Sequence, residues 1–279
     1  MARQLLGRLV TRLLWGLLVA LFLLGAMQIV ANRVAPRNDG MSADPCPPPE
    51  GRLQGMARIG FLTLAGRPQE LRDWADLCLY QRDNADLLAH GERPRAVFIG
   101  DSITQYWGQR NPAFFVNGIV NRGVAGQTSP QVLIRLTPDA LALKPTIVHV
   151  LVGLNDITGA RGPSRPEDYH NNIRAIVTLA KASGTTIVLG AVPPARNDAW
   201  GDGIHPVPRI RGINAWLSEL AKREGLVFAD YWTPMAAPDG TMRGDLSEDG
   251  AHPNLAGYAV METVARTALA EAERRAPSR

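Results

Sequence analysis

The sequence predicts an α/β protein, a three-layer α/β/α sandwich on a parallel sheet. Five short apolar runs recur, at Ala96 to Ile99, Gly118 to Asn121, Thr146 to Val152, Thr185 to Val192 and Leu226 to Ala229. Helical patterns lie between or after them, at about Pro130 to Leu143, Pro166 to Ala182, Pro208 to Glu224 and Asn254 to Glu273. Continuous apolar runs mark strands covered on both faces, and helices of this length between strands imply right-handed crossovers. No internal repeat long enough for a solenoid is present.

At 279 residues and 46% hydrophobic content, the chain can bury one large core. Arg3, Arg8 and Arg12 precede Leu13 to Ala31, a run without a charged residue. That pattern fits a secretory signal or an uncleaved membrane anchor. The run's length and its poor cleavage spacing favour the anchor, and either reading sends the domain out of the cytoplasm, to the cell envelope. Residues 32–51, ending in "DPCPPPEG", are too rich in proline for a ladder or helix and read as a semi-rigid linker. The domain is then expected over 52–272, with 273–279, "ERRAPSR", as a charged tail. Within it, Leu71 to Ala89 has helical spacing at Leu71, Trp74, Leu77, Cys78 and Leu88.

The formal charge is +4, but without the three leading arginines the remainder is nearly neutral. No basic cluster interleaved with aromatics follows, so a nucleic-acid partner is not expected. Two cysteines, Cys46 and Cys78, exclude a zinc cluster of paired CxxC motifs. In an oxidising compartment they could form one disulfide; two free thiols are the alternative.

The stretch "VFIGDSITQYW", Val97 to Trp107, runs a buried strand into Gly-Asp-Ser and then a helix start. Ser102 there is either an N-cap or a nucleophile. The carboxyl ends of the other runs bear on the choice, because ligands bind at that edge of an open parallel sheet. They carry Gly123 in "NRGVAG", Asn155 and Asp156 in "LVGLND", and Asp249 and His252 in "EDGAHPN". Together these supply what acyl transfer needs. A serine hydroxyl requires a base, histidine provides it, and a carboxylate orients the ring. The Ser102 and Gly123 amides and the Asn155 side chain are candidate oxyanion donors. There is no G-x-S-x-G elbow, which disfavours the lipase-type α/β-hydrolase fold.

Four blocks, "GDS" at 100–102, "NRGVAG" at 121–126, "GLND" at 153–156 and "DGAHP" at 249–253, stand in the order of the SGNH hydrolases. From roughly Arg95 to Ala270 the chain resembles the GDSL esterase/lipase family of that superfamily. The resemblance implies a five-stranded, flavodoxin-like sheet and no metal or organic cofactor. It implies a nucleophile at Ser102, oxyanion donors at Ser102, Gly123 and Asn155, and Asp249 and His252 as acid and base.

Of five histidines, His149 lies inside the apolar "TIVHVLVG" and reads as a core histidine, while His90 and His170 lack a partner pattern. His205, in "DGIHP", nearly repeats the block of His252; the latter is preferred because it precedes the last helix. Asp101 and Asp156 read as structural, and core packing is the better reading for any single tryptophan. The expected function is a serine esterase of the cell envelope, removing a small acyl group, acetyl first, from a glycan or small-molecule ester. A lysophospholipase or thioesterase, an acyltransferase, and a non-catalytic glycan-binding domain are the rivals.

Overall fold

A computed structural model describes residues 73–197, 199 and 204–276, together with Cys46. The chain divides into two units, Met1–Gln54 and Gly55–Arg279, and every described residue but Cys46 belongs to the second. The expected anchor or signal at 1–31 and most of the linker lie outside the described residues. Among the described residues no helix is long and apolar enough to cross a membrane. Neither cysteine is free.

The expected architecture is present. Five strands, β1 (Ala96–Gly100), β2 (Ile119–Gly123), β3 (Ile147–Leu151), β4 (Thr186–Gly190) and β5 (Val227–Ala229), form one sheet. Its order is β2-β1-β3-β4-β5, and every pairing is parallel. Along β1, Ala96 and Phe98 enter one apolar core while Val97 and Ile99 enter the other. Both faces are buried, so each strand reads as an unbroken apolar run.

The described helices are α1 (Gln81–Ala89), α2 (Ser102–Arg110), α3 (Ser129–Asp139), α4 (Leu154–Thr158), α5 (Pro166–Ala182), α6 (Pro206–Glu224), α7 (Trp232–Met235) and α8 (Leu255–Arg275). The pattern at Pro166 to Ala182 coincides with α5. The expected helix from Leu71 is shorter. Asp73 accepts from the Leu77 and Cys78 N–H groups, and Asp76 takes φ +54°, so side chains divert the backbone before α1 begins. The helix expected to Leu143 stops at Asp139, just past Pro138, and resumes as a 3₁₀ turn at Leu141–Leu143. The helical pattern expected from Asn254 begins at Leu255, with the Asn254 side chain capping α8 by accepting from Gly257 N–H.

The chain leaves β1 toward β2 and later returns to β3 on the other side. The crevice outside the β1 and β3 ends is therefore the topological switch point, where open α/β sheets bind ligands. Ser102 follows β1 and Asn155 follows β3.

Candidate active site

Asp101, not Ser102, caps α2. Its Oδ1 accepts from Ile103 N–H at 3.0 Å. This satisfies an amide that the first turn leaves open and releases the Ser102 hydroxyl for another partner. That partner is His252: Ser102 Oγ lies 2.9 Å from its Nε2. Burial pushes the Asp101 carboxyl up to about 7, opposed by the Ile103 N–H and assisted by the nearby Asp156 charge.

His252 stands on a turn closed by an antiparallel bridge between Ser247 and Pro253. Gly250 adopts φ +79° there, and its N–H donates to Ser247 Oγ at 2.9 Å. Ser247 in turn donates to the His252 carbonyl at 2.8 Å. Asp249 Oδ1 accepts from the N–H groups of Ala251 at 2.9 Å and His252 at 2.7 Å. Its Oδ2 lies 2.7 Å from His252 Nδ1. An ionised carboxylate only accepts, so Nδ1 carries the proton and the Nε2 lone pair faces Ser102 Oγ. Partial burial works against the Asp249 charge, but the His252 and Ala251 amides and the imidazole hold the carboxyl well below the usual carboxylate range.

Three contacts join this turn and α8 to α2. Tyr258 of α8 donates to the Ile103 carbonyl at 2.9 Å. Arg110 donates to the Pro253 carbonyl and lies over the Tyr106 ring. That ring stands 5.1 Å from the His252 ring, centroid to centroid. Ser102 is nearly buried, whereas the Asp249 side chain is 56% exposed, so the relay opens to solvent at its carboxylate end.

The expected oxyanion donors differ in availability. Among the described residues the Ser102 N–H, at the start of α2, has no hydrogen-bond partner. Asn155 gives one amide hydrogen to the Gln127 carbonyl at 3.0 Å, which fixes the carboxamide and leaves its second hydrogen. The Gly123 N–H, by contrast, donates to Asn121 Oδ1 at 2.9 Å. An oxyanion role for Gly123 would need that side chain to swing away, yet its Nδ2 is held by the Thr104 carbonyl at 2.7 Å. The glycine is required for packing, since a Cβ at Gly123 would lie 2.2 Å from Gln105 N. In the following loop, the N–H groups of Val124, Ala125 and Gln127 bond to Gly100 O, Gln105 Oε1 and Val124 O. Gly126, at φ +77°, has the one N–H of 123–127 without a partner among the described residues. Gly126 is the second glycine of "NRGVAG".

The other candidates serve the frame. Asp156 accepts from Ser129 N–H and Oγ and so ties α4 to the start of α3. His149 is buried and stacked on Phe98, with Nε2 2.8 Å from the Tyr231 hydroxyl, and burial lowers its pKa to about 3. His205 is exposed before α6, with no side-chain capping bond there. His90 Nδ1 meets the Asp86 carbonyl, and His170 stacks on Trp216. Trp107 is wholly buried against Phe114 and Tyr258.

The GDSL-like lipase/acylhydrolase family profile matches residues 98–260. No curated protein matches the chain. Among solved structures, a protein of Bacteroides fragilis is 34% identical, with TM-score 0.67, over 71% of this chain and 98% of its own. A GDSL-like lipase of Bacteroides thetaiotaomicron is 32% identical over the same shares, also at 0.67. A variant of an acetyl xylan esterase from Geobacillus stearothermophilus is 19% identical over 62% of this chain and 93% of its own, at 0.51, a likeness of fold.

Proposed function

The chain belongs to the GDSL-like lipase/acylhydrolase family and is an ester hydrolase, and on that premise we propose a serine esterase that removes small acyl groups, acetyl first, from oxygen esters on carbohydrate. The observation carrying the proposal is the relay from Ser102 Oγ through His252 to Asp249, at 2.9 and 2.7 Å. Ser102 Oγ attacks the ester carbonyl while its proton passes to His252 Nε2, and Asp249 stabilises the imidazolium. The oxyanion draws on the Ser102 N–H, the free hydrogen of Asn155 Nδ2 and the Gly126 N–H, with Gly123 supporting the loop. Collapse breaks the acyl–oxygen bond, and the alcohol leaves with the Nε2 proton. Water then gives a proton to Nε2 and adds to the acyl carbon. Release of the acid returns that proton to Ser102.

The open carboxylate end suits a bulky alcohol lying across the rim, and the Geobacillus neighbour's substrate supplies the class to try first. Residues 1–31 would hold the enzyme in the cell envelope, with the site outside the cytoplasm. The test is hydrolysis of p-nitrophenyl acetate, butyrate and octanoate and of acetylated xylan. Ser102→Ala and His252→Ala should each lower kcat by about 10³-fold or more, Asp249→Ala by about 10²-fold or more, and His205→Ala little. Preference for octanoate would turn the reading to a lysophospholipase or thioesterase. Activity surviving Ser102→Ala would remove the nucleophile from this serine.

A further inference from the structure

We infer that Arg135 is a positioning residue for the catalytic rim, its buried guanidinium setting the nucleophile turn against the loop that orients the oxyanion donors. The inference rests on Ser102 as nucleophile. Arg135 projects from α3 and is wholly buried. Its Nη2 donates to the Gly100 carbonyl at 3.2 Å, two residues before Ser102. Its Nη1 donates to the Arg122 carbonyl at 3.0 Å, immediately before Gly123. Its Nε donates to Gln127 Oε1 at 2.7 Å, and the Gln127 carbonyl is the acceptor that holds Asn155. One rigid planar group therefore grips the ends of β1 and β2 and the loop between β2 and α3.

A buried charge needs a partner, and Asp139 accepts from Nη1 at 2.7 Å with both side chains fully buried. Asn84 completes that carboxylate, donating to its other oxygen at 2.8 Å. Arg122 also faces the cluster, donating from Nε to Asn84 Oδ1, with the Tyr80 ring under its guanidinium. Buried ion pairs of this kind add little net stability over well-packed apolar side chains. What the fork provides that apolar packing cannot is three fixed distances, between groups that acyl transfer requires to be placed to a fraction of an ångström. A lysine could satisfy one of these carbonyls; it could not span three.

The experiment compares Arg135→Met, Arg135→Lys and Gln127→Met with the wild-type enzyme. Kinetics on p-nitrophenyl acetate are normalised to sites counted by irreversible fluorophosphonate labelling of Ser102, and thermal unfolding is recorded in parallel. Arg135→Met should lower kcat per labelled site by about tenfold to a hundredfold, the range expected of an ångström-sized misplacement, with KM changed less than about threefold. Arg135→Lys should recover little of it, and Gln127→Met should lose at least about threefold. An unchanged kcat per labelled site, however low the melting temperature, would overturn the inference and leave Arg135 as a stabilising ion pair. If Arg135→Met does not fold, Gln127→Met decides by the same criterion. Full activity in Ser102→Ala would instead sink the site assignment itself.

Discussion

A carboxyl group that caps a helix frees the hydroxyl next to it, and this division between Asp101 and Ser102 governs how the first motif is built. Both residue types are strong N-caps, and a helix start read from sequence is uncertain by a residue, so the motif alone left two roles for Ser102. The Asp101 bond to Ile103 and the Ser102 approach to His252 separate them. The cap has a pH signature. With a folded-state pKa near 7 against 3.8 for the free carboxyl, Asp101 keeps its proton in the folded state between those values. Its contribution is full at about pH 4, declines as pH rises through 7, and is level above. Asp101→Asn retains the Oδ1 acceptor without the ionisation. Its melting temperature relative to wild type should therefore rise from pH 5 to pH 8, measured calorimetrically. A difference independent of pH would mean that burial does not hold this carboxyl neutral.

Strands and helices meet at the rim where glycine leaves room. A Cβ on Gly100 would lie 2.1 Å from the Leu151 carbonyl, and one on Gly123 would lie 2.2 Å from the Gln105 nitrogen. Two motif glycines are thus explained by contact between β1 and β3 and between β2 and α2. Gly123→Ala should cost about 1–3 kcal/mol, the usual range for overpacking, read as a lower urea midpoint with unchanged slope. An unaltered midpoint would show that α2 can shift outward freely. The sequence made Gly123 legible as a special position, but motif and packing look alike in one dimension. The Asn121 side chain that occupies its N–H is a contact no spacing reveals. Helix ends were legible where a proline began them, as at Pro166, and misread where Asp73 or Pro138 redirected the backbone.

The sheet's apolar runs announced parallel strands, since alternation would have marked an exposed face. Their order across the sheet is a tertiary fact, and only the resemblance carried it. The meeting of Ser102 and His252, 150 residues apart, was legible one step earlier, because both follow the carboxyl ends of apolar runs that share one rim. His149 was read as core, and its stack on Phe98 and bond to Tyr231 place it there. With β1, β3 and β4 each paired on both sides and β2 and β5 at the edges, stability should be graded across the sheet. Native-state hydrogen exchange should find the slowest strand amides in β1, β3 and β4, with those of the three-residue edge strand β5 faster. Uniform protection across all five strands would mean that the sheet opens only as a unit.

Tyr258, Arg110 and the Ser247–Pro253 bridge lie in, or reach toward, the last stretch of chain. A ribosome therefore delivers Ser102, the proposed nucleophile, long before His252, its proposed base. Until α8 emerges and docks, a serine activated in the proposed way would be as inert as any other, unable to acylate itself on esters it meets. On the proposed triad, ester cleavage reports that synthesis has passed residue 252, and a message truncated ahead of residue 249 should yield a silent product.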